Sequence, residues 1–162
     1  GRRYSTAYYA ERLSRIAERI PGCCLGADVM VGFPGESDDD FGITRAFVDS
    51  QPLSYLHVFS YSRRDDTPAD RLDGHVTRQV KSERARALIE LGERKRFAFH
   101  RQHVQHTVSV LVETIEEGLA TGLTDNYIRV RFEAGARTQV NTFAPVRLTQ
   151  AREDVMFGEF AG

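Results

Sequence analysis

An α/β segment followed by a small all-β barrel is the architecture that this 162-residue sequence predicts. Three observations carry it. Two short apolar runs, at 28–33 and 55–61, flank a stretch of helical period at 38–50. Helical patterning stops near residue 106. Beyond it, apolar and polar side chains alternate between turn signals, as in short half-buried strands. The composition, 41% hydrophobic and 28% charged, suits one ordinary domain or two small ones. With 22 Lys+Arg against 23 Asp+Glu, the net charge of -1 excludes a polybasic tail or an acidic disordered segment. No apolar run approaches the ~18–20 residues of a membrane span, and no membrane partner is expected.

Residues 5–20 read as a helix with Tyr9, Leu13, Ile16, Ala17 and Ile20 on one face, Ser5 or Thr6 as cap, and Pro21-Gly22 as stop. The run at 28–33 has the continuous apolar character of a strand buried on both faces. Ser37 followed by Asp38, Asp39 and Asp40 is a strong helix start, because aspartates suit the positive end of the helix dipole. Phe41, Thr44, Phe47 and Val48 then share a face up to Gln51-Pro52. The β-rich run at 55–61 completes a strand–helix–strand unit, which implies a parallel pair with a right-handed crossover. A polar loop follows at 62–75, then a long helix from about Thr77 to about His103 with Val80, Leu88, Leu91 and Ala98 inward. In the tail, Val108, Val110 and Val112 share one face. Ile128, Val130 and Phe132 point inward, with Arg129 and Arg131 outward. Short strands are also expected at 139–140, 145–148 and 155–160, with Gly118, Gly122, Asp125-Asn126 and Gly135 marking turns. This is the pattern of a small oligonucleotide-binding type of barrel, and the boundary falls between 1–106 and 107–162.

Two parallel strands leave unpaired edges and an uncovered face. Residues 1–75 are therefore expected to be part of a larger α/β domain, with Gly1-Arg2-Arg3 a cut point and an N-terminal partner segment missing.

Charge is uneven along the chain. Residues 76–106 carry 8 basic and 3 acidic side chains, a local +5, and the segments on either side carry -3 each. Such a stretch either attracts phosphate backbones or forms the solvated face of a long helix. The adjacent cysteines Cys23 and Cys24 rarely bridge each other. There is no zinc-type spacing, so a reduced cytoplasmic protein with no complete metal site of its own is expected.

The run Asp28-Val-Met-Val-Gly-Phe-Pro-Gly-Glu36 carries the strongest chemical signal. A glycine turn at the carboxyl end of a parallel strand is where α/β folds bind ligands. Gly32 and Gly35 would let backbone amides approach a ligand, Pro34 would stiffen the turn, and Glu36 could accept from an amine or hydroxyl. The alternative is a tight strand-to-helix turn that binds nothing. His57 reads as a core or barrel-lining histidine. His100, His103 and His106 lack any carboxylate or cysteine that would support a metal site.

The run GADVMVGFPGESDDDF, with SYLHVFSYS and TPAD after it, resembles the C-terminal half of radical S-adenosylmethionine (SAM) methylthiotransferases. The tail motifs VSVLVE, GLTDNYIRVRF and VMFGEF resemble the family's TRAM domain, a small RNA-binding β-barrel. Within the family the threonylcarbamoyladenosine tRNA branch is the best match. The resemblance implies a partial (β/α) barrel, S-adenosylmethionine and two [4Fe-4S] clusters in the full-length parent, and a tRNA anticodon arm as partner. It implies methylthiolation at C2 of threonylcarbamoyladenosine by radical chemistry. The cluster cysteines would lie upstream, so this chain alone is expected to be inactive, with no catalytic residue of its own. By family position Gly32, Phe33, Pro34, Gly35 and Glu36 would lie near the cofactor. The end of the second strand, Phe59, Ser60, Tyr61 and Ser62, would flank the adenine, and Arg2 or Arg3 could reach cofactor or substrate. The family often reads YSPRPGTPA where this chain has YSRRDDTPA, a change expected to loosen the loop. In the tail, Tyr127 can stack on a base, Arg129 and Arg131 can meet phosphates, and Asn126 completes the RNA-binding set. A non-catalytic RNA-binding module, or the branch that modifies an aspartate of a ribosomal protein, are the competing readings.

Overall fold

The computed structural model describes residues 3–162. The chain divides into two compact units: one holds the chain up to Pro21 and Leu25–Glu93, the other Gly22–Cys24 and Arg94–Gly162.

In the first unit, helix α1 (Thr6–Arg19) is capped by Ser5, whose hydroxyl accepts from the Tyr8 amide at 3.2 Å. Leu13 is buried and Tyr9 half-buried, whereas Ile16 and Ile20, expected on the same face, are exposed. Helix α2 (Asp38–Ser50) opens on a capping box. Asp40 N–H donates to the Ser37 hydroxyl at 3.1 Å, and Ser37 N–H donates to the Asp40 carboxylate at 3.0 Å. The side-chain hydrogen bond from Ser37 is the main cause that holds the Asp40 carboxyl below its ordinary pKa. Strands β1 (Gly26–Val31) and β2 (Tyr55–Ser60) pair in parallel from Gly26 opposite Tyr55 to Val31 opposite Ser60, as the strand–helix–strand pattern predicts.

One expectation fails here. The strands are not covered on both faces. Ala27, Val29, Val31, Leu56 and Val58 pack with Leu13, Val48, Leu53, Leu88 and Leu91, but Asp28, Met30, Tyr55, His57 and Phe59 are exposed on the other face. The helices of this unit supply apolar side chains to one face only. His57 is accordingly no core histidine; it sits on the open face with its ring 5.9 Å from that of Phe59.

Helix α3 (Arg78–Gln102) buries Leu88 and Leu91 as expected. Ala98 is exposed instead of inward, because its neighbour Phe99, larger and more apolar, takes the buried position.

The second unit is a closed barrel of β3 (Thr107–Glu116), β4 (Leu119–Thr124), β5 (Arg129–Glu133), β6 (Phe143–Ala151) and β7 (Met156–Phe160), in the order β3-β4-β5-β7-β6. The β5–β7 pairing is parallel and the other four are antiparallel. This is the small Greek-key barrel of the oligonucleotide-binding kind that the alternating tail predicts. Val110, Val112, Ile128, Val130 and Phe132 fill its core, with Val146, Leu148 and Met156. Strand β4 was hidden in the sequence behind its turn-like glycine. Gly122 lies inside the strand because a Cβ there would collide with the Leu111 carbonyl oxygen. Residues 139–140, expected as a strand, form none: Gln139 is irregular and Val140 lies in a turn. The strands begin at Thr107, beside the expected boundary, yet the compact unit reaches back to Arg94, because Phe99 and Val104 pack into the barrel core. Among the described residues no helix is long and apolar enough to cross a membrane.

Candidate functional site

Two regions hold the residues singled out by the sequence, one in each unit.

In the first unit the turn after β1 is built by left-handed glycines, Gly32 (φ 74°) and Gly35 (φ 84°). The Lys81 methylenes occupy the space a Cβ at Gly32 would need. The turn's amides are engaged by the chain itself. Gly32 N–H donates to Glu36 Oε2 at 3.0 Å, Gly35 N–H to the Gly74 carbonyl at 2.9 Å, and Glu36 N–H to the Phe33 carbonyl at 3.0 Å. The Glu36 carboxylate is engaged too. Arg84, with only 6% of its side chain exposed, donates to Glu36 Oε1 at 2.6 Å, to the Glu36 carbonyl at 3.0 Å and to Asp38 Oδ1 at 2.7 Å. Burial alone would lower the Arg84 pKa, but its hydrogen bonds to Asp38 and Glu36 outweigh that and raise it. Glu36 is thus a pin between the turn and α3. Pro34 is buried, and Phe33 is the exposed ring of the turn, edge-on to Tyr61 at 5.4 Å.

The cavity lies beside this turn, at the end of β2. It encloses about 370 Å³ and is lined by Met30, Phe59, Ser60, Tyr61, Ser62, Arg64, Thr67 and Ala69. Of the expected cofactor residues, Phe59, Ser60, Tyr61 and Ser62 line it. Gly32, Phe33, Pro34, Gly35 and Glu36 do not, nor does the exposed Arg3; Arg2 lies outside the described residues. Lys81 Nζ donates to the Tyr61 carbonyl at 3.1 Å, and the buried Tyr61 hydroxyl has no hydrogen-bond partner. Two aromatic rings, two serines, a threonine and an arginine around one cavity suit a flat heterocycle carrying polar substituents. The residues present therefore fit the adenosyl part of S-adenosylmethionine. They do not fit an iron–sulfur cluster: among the described residues no group of three His, Cys, Asp or Glu side chains is placed to hold a metal ion.

Met30, Arg64, Thr67, Lys81 and Arg84 were not visible as site residues. Lys81 and Arg84 stand one turn apart on a helix that reads as a basic stretch, and nothing local ties them to residues 36 or 61. The loop expected to be loose is tied down. Thr67 caps a short 3₁₀ turn, Pro68–Arg71, and its hydroxyl donates to the Arg64 carbonyl at 2.9 Å, while Arg63 pairs with Asp70. Asp66 adopts φ 62° where the family pattern has glycine, and aspartate is among the few residues that tolerate that region.

In the second unit, the turn between β4 and β5 presents Tyr127. The residue is 79% exposed and its φ is 62°, a conformation that costs a bulky residue about 1–2 kcal/mol. Asn126 is half-buried and bonded on both ends of its amide. Arg129 and Arg131 point outward as the alternation predicts, and Arg129 meets Glu113 at 3.4 Å. The strand register aligns Phe143, Leu111, Leu123 and Arg129 in one row across four outer strands. Phe143, 72% exposed, was not identified from the sequence.

No family model matches the chain. It is 34% identical to a threonylcarbamoyladenosine tRNA methylthiotransferase of Bacillus subtilis, over 98% of this chain and 36% of that protein. It is 39% identical to an enzyme of the same description from Aquifex aeolicus, over 82% of this chain and 31% of that one. A tRNA-2-methylthio-N(6)-dimethylallyladenosine synthase of Thermus thermophilus is 36% identical over 99% of this chain and 35% of its own length. The chain thus spans about a third of the length of the curated relatives it matches, and over nearly all of its own residues it is similar to tRNA methylthiotransferases.

Proposed function

We propose that this chain is the C-terminal part of a tRNA methylthiotransferase that adds a methylthio group at C2 of threonylcarbamoyladenosine beside the anticodon. Its α/β unit contributes one wall of the S-adenosylmethionine site, and its barrel holds the tRNA. The observation that supports this best is the conjunction of a closed barrel of oligonucleotide-binding topology with similarity to tRNA methylthiotransferases along nearly the whole chain. Bound S-adenosylmethionine would supply the adenosyl radical and the methyl group, with the iron–sulfur clusters held by segments outside this chain.

The residues here bind and orient. Phe59 and Tyr61 flank the adenine, and Ser60, Ser62 and Arg64 offer polar contacts around it. Gly32, Phe33, Pro34, Gly35 and Glu36 shape the neighbouring turn, which Arg84 and Lys81 brace. In the barrel Tyr127 stacks on an unpaired base, Arg129 and Arg131 meet phosphates, and Phe143 with Leu111 and Leu123 extends the apolar surface.

The full-length parent, reconstituted with clusters and incubated with tRNA carrying either threonylcarbamoyladenosine or dimethylallyladenosine, should convert the first to its 2-methylthio form by nucleoside mass spectrometry. Conversion of the second alone would overturn the substrate assignment. The isolated chain should show no cofactor cleavage. In mobility-shift assays it should bind an anticodon arm with an affinity that falls steeply as salt rises.

A further inference from the structure

The exposed, left-handed Tyr127 is held by a closed hydrogen-bond chain that leads back to a buried histidine. His103 is 7% exposed at the carboxyl end of α3. Its Nδ1 lies 2.9 Å from the Phe99 carbonyl, which can only accept, so Nδ1 carries the proton and Nε2 is left as an acceptor. Asn126 Nδ2 fills that acceptor at 3.1 Å and donates its second proton to the Gly22 carbonyl at 2.8 Å. The Gly22 carbonyl fixes which end of the Asn126 amide faces inward. Asn126 Oδ1 then accepts from the Thr124 hydroxyl at 2.6 Å. That hydroxyl in turn accepts from Ile128 N–H at 2.9 Å, and Tyr127 N–H closes the turn on the Thr124 carbonyl at 3.1 Å. Every polar group in the chain is matched, and the residue it displays is the strained one. A strained backbone persists only where its surroundings over-determine it.

We infer that His103 is a positioning residue for RNA: acting through Asn126, it locks the β4–β5 turn so that the Tyr127 ring stands out as a stacking platform for an unpaired base. The inference deepens the proposed RNA-binding role and rests on it for the identity of the ligand. Removing His103 leaves an Asn126 N–H without its acceptor in a half-buried site, so the turn relaxes toward conformations that suit tyrosine better. Ordering the platform before RNA arrives spares the complex that ordering cost.

The test uses the full 162-residue chain and two readouts. The first is amide hydrogen exchange followed by NMR. In His103→Ala, Tyr127 N–H should exchange about tenfold faster or more, while Val110 and Val146 in the barrel ladder keep their rates. Asn126→Asp, which keeps the side-chain size but loses both donated protons, should give the same local signature and serves should His103→Ala fail to fold. Unchanged Tyr127 exchange in the folded variants overturns the inference whether or not RNA binds. The second readout is a double-mutant cycle on affinity for an anticodon-loop RNA oligonucleotide. Tyr127→Ala should weaken binding roughly ten- to hundredfold. His103→Ala should cost most of that in the parent chain but less than about twofold on top of Tyr127→Ala. If Tyr127→Ala leaves affinity intact, the RNA-stacking reading fails. If Tyr127→Ala weakens binding but His103→Ala costs the same in both backgrounds, that reading stands and the positioning role is lost.

Discussion

In the barrel every strand has two hydrogen-bonded neighbours, whereas β1 and β2 have one each. The barrel core is enclosed, with Val110, Val112, Val130, Val146, Leu148 and Met156 all at 0% exposure. The α/β unit packs one side of its sheet and shows Met30, Tyr55 and Phe59 on the other, each 39% exposed or more. The contrast teaches that closure, not size, decides which of the two is finished. A barrel satisfies its strand edges internally, while a two-stranded sheet with an apolar outer face has a surface shaped to be covered.

The largest expected effect breaks the closed unit. Phe132→Ala should cost the barrel about 3–5 kcal/mol, since an enclosed core has little room to collapse around the cavity. Exchange along the β3–β6 ladder should accelerate accordingly, and equal acceleration at the β1–β2 ladder would show the two units to be one cooperative block. Next comes the pin of the open unit. Arg84→Ala removes the partner of a largely buried Glu36, and about 2–3 kcal/mol should be lost from the α/β unit, somewhat below the cost of breaking a fully buried pair because Asp38 is exposed. The Tyr61 amide, bonded to the Val31 carbonyl at 2.8 Å, is the reporter.

A third effect is tied to pH. Burial, opposed by the hydrogen bond to the Arg152 carbonyl, lowers the His100 pKa below its ordinary value of 6.5. The unfolded chain then takes the proton first as pH falls, so this contribution to barrel stability is complete above about pH 6.5 and declines below it. Denaturant midpoints measured across that range should show the decline in the parent chain and a flatter profile in His100→Gln. The smallest effect is a gain: Asp66→Gly should stabilise the α/β unit by a few tenths to about 1 kcal/mol, because glycine takes φ 62° without penalty. A loss in thermal denaturation would mean that the Asp66 side chain makes a contact worth more than its strain.

Much of the fold could be read from local pattern. The capping box at Ser37, the parallel pair and the inward set Ile128, Val130 and Phe132 each follow from residues close together in the chain. The failures share a physical cause. Gly122 looks like a turn until the strand opposite it is known, since what excludes its side chain is the Leu111 backbone. Asn126 looks unpartnered in the sequence, and the structure bonds its amide to His103 and the Gly22 carbonyl. Glu36 looks like a ligand acceptor until Arg84, 48 residues away, is found bonded to it. Polar residues whose partners are distant in sequence read as available, and the structure shows which are already taken.

The loop over the cavity is fastened at its far end by main chain. Gly35 and Gly74 meet so closely that a Cβ on Gly74 would come within 3.3 Å of the Gly35 backbone. A clasp between two glycine backbones reads no side chain, so the stretch between Ser62 and Gly74 can trade prolines for aspartates without losing its anchorage. It behaves as an exchangeable rim, whose charge can be retuned while the floor of the cavity stays where it is.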